Sequence, residues 1–167
     1  MTIRLASALI AASLVVSQPG VHAQGPSDLA KAPMPTALLA PEAATTVAAR
    51  VALLEGPAFD GEGNLFFSDI FGNRIYRMTP GGTLSVFRAD SGRTNGNTFD
   101  AQGRLVSCEG AEQGPGGRRR IVRTDMGTGR VEVLTERYRG KRYNSPNDVV
   151  VDAKGRVWFT DPTYGDD

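Results

Sequence analysis

The chain is predicted to be all-β, built from the four-stranded blades of a β-propeller. Three observations carry this: an eleven-residue unit that recurs three times, a second pair of strands that recurs behind it, and a blade-sized spacing between copies. The turn aspartates of the three copies, Asp60, Asp100 and Asp152, lie 40 and then 52 residues apart. Four-stranded units repeating at roughly 40–50 residues are the signature of propeller blades.

The clearest copy is Phe59-Asp60-Gly61-Glu62-Gly63-Asn64-Leu65-Phe66-Phe67-Ser68-Asp69. The second runs from Phe99-Asp100 through Gly103 to Cys108-Glu109, and the third from Val151-Asp152 through Gly155 to Thr160-Asp161. Each Asp-x-x-Gly is a tight-turn signal: the Asp side chain bonds nearby backbone and Gly supplies positive φ. The flanks are alternating or wholly apolar, as in buried strands. Behind the first unit, Arg74-Ile75-Tyr76-Arg77 and residues 83–87 flank Pro80-Gly81-Gly82. Behind the second, Arg120-Ile121-Val122-Arg123 and residues 130–134 flank Gly127-Thr128-Gly129. The extra length of the second blade is expected in the Gly- and Arg-rich loop of residues 110–119. The chain thus holds two whole blades and the first hairpin of a third. A closed propeller needs about 4–8 blades, so the sequence predicts an unfinished one. A truncated gene, completion by another chain and a small oligomeric propeller compete as explanations, and the mid-blade ending favours the first.

Upstream, Met1-Thr2-Ile3-Arg4, an apolar run over residues 5–16 and Val21-His22-Ala23 predict a secretory signal over residues 1–23. The run is too short for a membrane span, which needs about 20 residues. The mature protein is therefore expected in the periplasm or outside the cell. Residues 24–50 are Ala- and Pro-rich and read as a flexible arm. Lys and Arg number 19 against 18 for Asp and Glu, a balance that argues against nucleic acid or an anionic membrane as partner. His22 is the sole histidine and leaves with the signal; Cys108 is the sole cysteine. Serine–histidine triads, histidine–metal sites and cysteine-rich zinc sites are excluded from residues 24–167. Chemistry there must use carboxylates, amides, hydroxyls or a hard metal ion.

Aligning the copies on their turn Asp yields the candidate site. Five residues before it stand Glu55, Asn95 and Asn147. Each begins an innermost strand, and in a propeller those starts converge on the central axis. Oxygen-bearing side chains aimed at one axis suit a hard cation such as Ca2+. Mg2+ suits amide-rich ligation less, and Zn2+ would normally want His or Cys. Capping of strands would explain any one of these residues; three in register favour metal or substrate binding. Nine residues after each turn Asp come Asp69, Glu109 and Asp161, which share that rim, and each taken singly reads as a backbone-bonding group. Asp148, next to Asn147, is placed on the other side of the strand as a supporting group. Arg118-Arg119-Arg120 reads as solvated surface charge, Trp158 and Phe159 as packing between blades, and Cys108 as a small buried hydrophobe.

Leu54-Glu55-Gly56-Pro57, Asn95-Gly96 with Phe99-Asp100, Asn144-Ser145-Pro146-Asn147-Asp148 and Phe159-Thr160-Asp161-Pro162-Thr163-Tyr164-Gly165 resemble the gluconolactonase/regucalcin (SMP-30) family, itself similar in fold to diisopropyl fluorophosphatase. The resemblance runs from about Val51 to the end. It implies a six-bladed propeller with one divalent cation, usually Ca2+, in its central channel, and hydrolysis of sugar lactones such as gluconolactone. It carries metal ligation onto Glu55 and Asn147, and a ligand or substrate contact onto Asn95, with Asp148 beside them. It also implies further ligands, an Asn and an Asp, from later blades that this chain does not contain. A metal-dependent lactonase lineage, little active as this chain alone, is the expected function. A non-catalytic secreted propeller that binds a sugar or a protein partner is the rival.

Overall fold

The structure is a computed structural model that describes residues 53–110 and 116–164. The signal in residues 1–23, the arm of residues 24–50 and the centre of the 110–119 loop lie outside the described residues. The described blades belong to one compact unit, Val51–Asp167. No helix among the described residues is long and apolar enough to cross a membrane.

Strands β1 (Leu54–Phe59), β2 (Leu65–Asp69), β3 (Arg74–Met78) and β4 (Leu84–Ala89) form a four-stranded sheet in sequential order. Strands β5 (Thr94–Phe99), β6 (Leu105–Glu109), β7 (Arg120–Thr124) and β8 (Val131–Thr135) repeat that arrangement. After a small hairpin, β9 (Arg137–Tyr138) and β10 (Lys141–Arg142), a third blade opens with β11 (Val149–Val151) paired to β12 (Val157–Phe159). All pairings are antiparallel. The chain is a partial β-propeller: two blades and the opening hairpin of a third.

The three Asp-x-x-Gly turns form as their chemistry dictates. Asp60 Oδ1 accepts from the backbone N–H groups of Glu62 and Asn64, both at 2.9 Å. Asp100 does the same for Gln102 and Arg104, and Asp152 for Lys154 and Arg156. Gly63, Gly103 and Gly155 supply the positive φ that closes each turn. The Arg156 N–H bond, foremost among several donors, pulls the Asp152 carboxyl down to about 2.

Packing runs between blades. Phe66 is almost fully buried and meets Phe87 of its own blade edge-on at 5.0 Å and Phe99 of the next at 5.3 Å. With Ile75 and Leu105 these rings fill the first seam. Full burial of one such side chain stabilises by about 1.5–3 kcal/mol. Val106, Cys108, Ile121 and Val149 fill the second seam, backed by Phe159. The expectation for Phe159 and Cys108 therefore holds.

One expectation meets no following blade among the described residues, and one needs correction. Trp158 is 56% exposed on the free face of the third hairpin, in the register position whose equivalents Phe66 and Val106 are buried in the seams to the blades that follow them; its indole donates to Asp152 Oδ2, and the Arg156 guanidinium lies over its ring at 5.4 Å. Strand alternation turns Trp158 away from the seam that Val157 and Phe159 enter. The extra length of the second blade also lies only partly in the 110–119 loop, which exceeds its counterpart in the first blade (residues 70–73) by six residues. Much of the rest is the β9–β10 hairpin, closed by Arg139 and Gly140, both at positive φ as a two-residue hairpin turn demands.

Candidate functional site

The starts of the three inner strands come together. Both complete inner strands depart from regular pairing there: β1 shifts register between Glu55 and Ala58, and β5 between Thr94 and Asn97. Such bulges re-aim side chains at sheet ends. Gly56 and Gly96 follow Glu55 and Asn95 and occupy equivalent places in the repeat. A Cβ on Gly56 would lie 2.2 Å from the Asn95 carbonyl oxygen, and one on Gly96 would lie 2.6 Å from the Asn147 carbonyl oxygen. The same glycine thus lets each next blade approach, and the Gly96 N–H donates to that Asn147 oxygen at 2.7 Å.

A buried amide fixes this register. Asn97 is 6% exposed and stands where the other copies have Pro57 and Val149. Its Nδ2 donates to the Gly56 carbonyl (3.0 Å), to Ser68 Oγ (2.7 Å) and to the Asn95 carbonyl (3.1 Å), while its Oδ1 accepts from Ser107 Oγ (2.8 Å). Ser68 Oγ in turn donates to the Asn95 carbonyl at 2.8 Å. No pattern in the sequence singles out Asn97 beyond its being a polar residue at an otherwise apolar register position. Asn97→Ala would leave several of these groups unpaired and is expected to cost about 2 kcal/mol in a urea melt. An unchanged midpoint would contradict this role.

The predicted residues gather at this edge. Glu55 is half-buried in β1, Asn95 lies near the start of β5, and Asn147 and Asp148 immediately precede β11. Burial pushes the Glu55 carboxyl above its usual range, and the negative charge of Asp148 adds to the rise. Asp148 Oδ1 accepts from the Val149 N–H at 2.9 Å and would meet a Cβ on Gly96 at 2.7 Å, so this carboxylate sits beside the second blade. Tyr164, which no reading of the sequence assigned to the site, accepts a 2.6 Å hydrogen bond from Asn147 Nδ2. Burial and then the charge of Glu55 raise its phenol. Among the described residues no three His, Cys, Asp or Glu side chains gather as a metal site by themselves. Any cation at this edge would therefore need the amides as well as the carboxylates.

The carboxylates that end the hairpins are otherwise engaged. Asp69 Oδ1 accepts from the Gly72 N–H, and Asp161 accepts from the backbone N–H groups of Asn144 and Ser145. Glu109, fully buried, instead pairs with Arg88 of the first blade and with Arg120 at 2.6 Å, with Arg118 at 3.6 Å. Arg118 also reaches Asp90 at 2.6 Å. The arginine run is therefore not simply solvated: Arg120 pairs with the buried Glu109 within the second blade, and Arg118 reaches Asp90 at the end of the first. Cys108 is fully buried, and burial pushes its thiol strongly upward, which removes it as a nucleophile.

Residues 53–167 match the SMP-30/gluconolactonase/LRE-like region. A gluconolactonase of Zymomonas mobilis is 35% identical over 128 residues, which cover 71% of this chain and 36% of that protein. The solved structure of a gluconolactonase from Xanthomonas campestris superposes with a TM-score of 0.61 at 43% identity, over 70% of this chain and 37% of that one. Virginiamycin B lyase of Staphylococcus aureus, at 19% identity and a TM-score of 0.51 over 65% of this chain and 34% of its own, shares the fold alone. The chain spans a little over a third of the gluconolactonases it matches. With the repeat, the blades and the match across all of them in agreement, this chain belongs to the SMP-30/gluconolactonase/LRE-like family.

Proposed function

We propose that this chain carries part of the active site of a metal-dependent lactonase acting on sugar lactones, with Ca2+ as the cation. The observation that supports this most is the meeting of Glu55, Asn147 and Asp148 at strand starts brought together across three blades. The donor set is all oxygen, two carboxylates and the amides of Asn95 and Asn147, which is the chemistry of a hard cation and not of zinc. Glu55 and Asn147 would hold the ion, and Asn95 would complete the shell or contact substrate. Asp148 adds negative potential from beside them. A divalent cation in such a place polarises a lactone carbonyl and favours charge on its oxygen. The residues of this chain would fix that ion and keep the strand starts at the spacing the substrate meets.

The raised Glu55 carboxyl fits the same reading: a half-buried acid facing a second carboxylate is relieved by a cation between or beside them. Calcium titration of the chain by calorimetry tests the reading. Glu55→Gln keeps the shape and removes the charge, and is expected to weaken Ca2+ binding at least about tenfold, a loss of roughly 1.4 kcal/mol or more. Equal affinities in the two proteins would sink it. Ca2+ takes about 6–8 oxygens, more than these residues offer, so gluconolactone hydrolysis by this chain alone is expected to stay near background. Brisk Ca2+-dependent turnover would show that these residues suffice. The signal in residues 1–23 would place this chemistry in the periplasm or outside the cell.

A further inference from the structure

The amide of Asn147 has two ends with opposite consequences for a cation. Its oxygen can ligate an ion; its NH2 would repel one. Which end faces the strand-start edge depends on what holds the other. Asn147 Nδ2 donates to Tyr164 Oη at 2.6 Å. Tyr164 follows β12, outside the strands, and its phenol lies within the field of Glu55. The hydroxyl therefore ties the amide NH2 on one side and leaves Oδ1 for the other. A phenol is well suited to this, because it accepts through oxygen and brings no charge to compete for the ion.

We propose that Tyr164 is a positioning residue of the cation site, whose hydroxyl captures the Asn147 NH2 and so presents the Asn147 side-chain oxygen to the metal. This role rests on the proposed cation and belongs to a residue that the register of the repeat does not reveal. Tyr164 lies 17 residues along the chain from Asn147, at the far end of the hairpin that Asn147 begins. The hairpin geometry returns it to the same edge: Asn147 N–H donates to the Thr160 carbonyl at 2.9 Å, and Thr160 N–H to the Asp148 carbonyl at 3.0 Å.

A double-mutant cycle in the full chain separates orientation from general support. Tyr164→Phe keeps the ring and removes the acceptor. Calorimetry with Ca2+ alone should show affinity falling about three- to tenfold, the equivalent of one hydrogen bond, while the melting midpoint without metal stays put. In Asn147→Asp both side-chain oxygens are equivalent and need no orienting. Adding Tyr164→Phe to that background is therefore expected to change Ca2+ affinity by less than about twofold. The same loss in both backgrounds, or no loss in the first, would overturn the role of Tyr164 while leaving the cation site standing. An unmodified chain that binds no Ca2+ would overturn the cation reading and this role together.

Discussion

Gly56→Ala is expected to abolish the cooperative fold of the first two blades or leave it barely stable. The added Cβ would stand 2.2 Å from the Asn95 carbonyl oxygen, 2.8 Å from the Asn97 nitrogen and 2.8 Å from the Gly96 Cα. All three are backbone atoms, so no side-chain rotation relieves the overlap. Ordinary contact requires more than about 3.4 Å, and β1 and β5 would have to part by about 1 Å. Parting them stretches the bonds that Asn97 makes to the Gly56 carbonyl and to Ser68 Oγ of the first blade. Gly56 also sits at φ +56, where an L side chain costs about 1–2 kcal/mol by itself. Strain and overlap together should exceed about 4 kcal/mol, the range kept for severe core defects. Gly61→Ala is the control, because nothing lies within 4 Å of its Cβ position. Urea unfolding of the two variants should differ by most of that sum. If both melt alike, the glycine does not govern the approach of the blades.

This contrast marks how far the sequence alone could be read. Turn aspartates, strand flanks and blade spacing are local or periodic features, and each appeared where its chemistry required. The common placement of Glu55, Asn95 and Asn147 at the inner strand starts was legible because the repeat puts equivalent positions on one edge. Partners from different blades were not legible. Asn97 meets Gly56 from 41 residues away and Ser68 from 29, and no periodicity links such positions. The same limit explains the arginine run. Three adjacent arginines look solvated until the fold brings Glu109 against Arg120 and Asp90 against Arg118. Tyr164 stands within a family-like motif, yet its role depends on a hairpin closing over 17 residues. The β9–β10 hairpin was missed because two-residue strands rich in Arg and Lys carry no apolar pattern.

Glu109→Ala should cost nearly as much as the glycine change, through charge instead of overlap. Glu109 has a fully buried side chain, and Arg88, Arg120 and Arg118 approach it with side chains 13%, 26% and 33% exposed. Removing the carboxylate leaves like charges facing one another with little water to separate them. Breaking one side of a buried ion cluster costs about 3–5 kcal/mol, and partial exposure of Arg118 and Arg120 argues for the lower half of that range. Arg88 comes from β4 and Glu109 from β6, so the loss falls on the seam between blades and not on either sheet alone. Two further measurements identify the cause. Added salt should recover part of the lost stability, because repulsion among arginines is screened over about 8–10 Å at moderate ionic strength, whereas a cavity is indifferent to salt. Arg88→Met placed on Glu109→Ala should also recover stability, since it withdraws the least exposed of the stranded charges. The exposed pair Arg123–Glu132 supplies the contrast: Glu132→Ala is expected to leave the melting midpoint unmoved. If Glu109→Ala proves equally silent, the buried carboxylate does not hold the blades together. If it is costly yet insensitive to salt and to Arg88→Met, its contribution is packing and not charge.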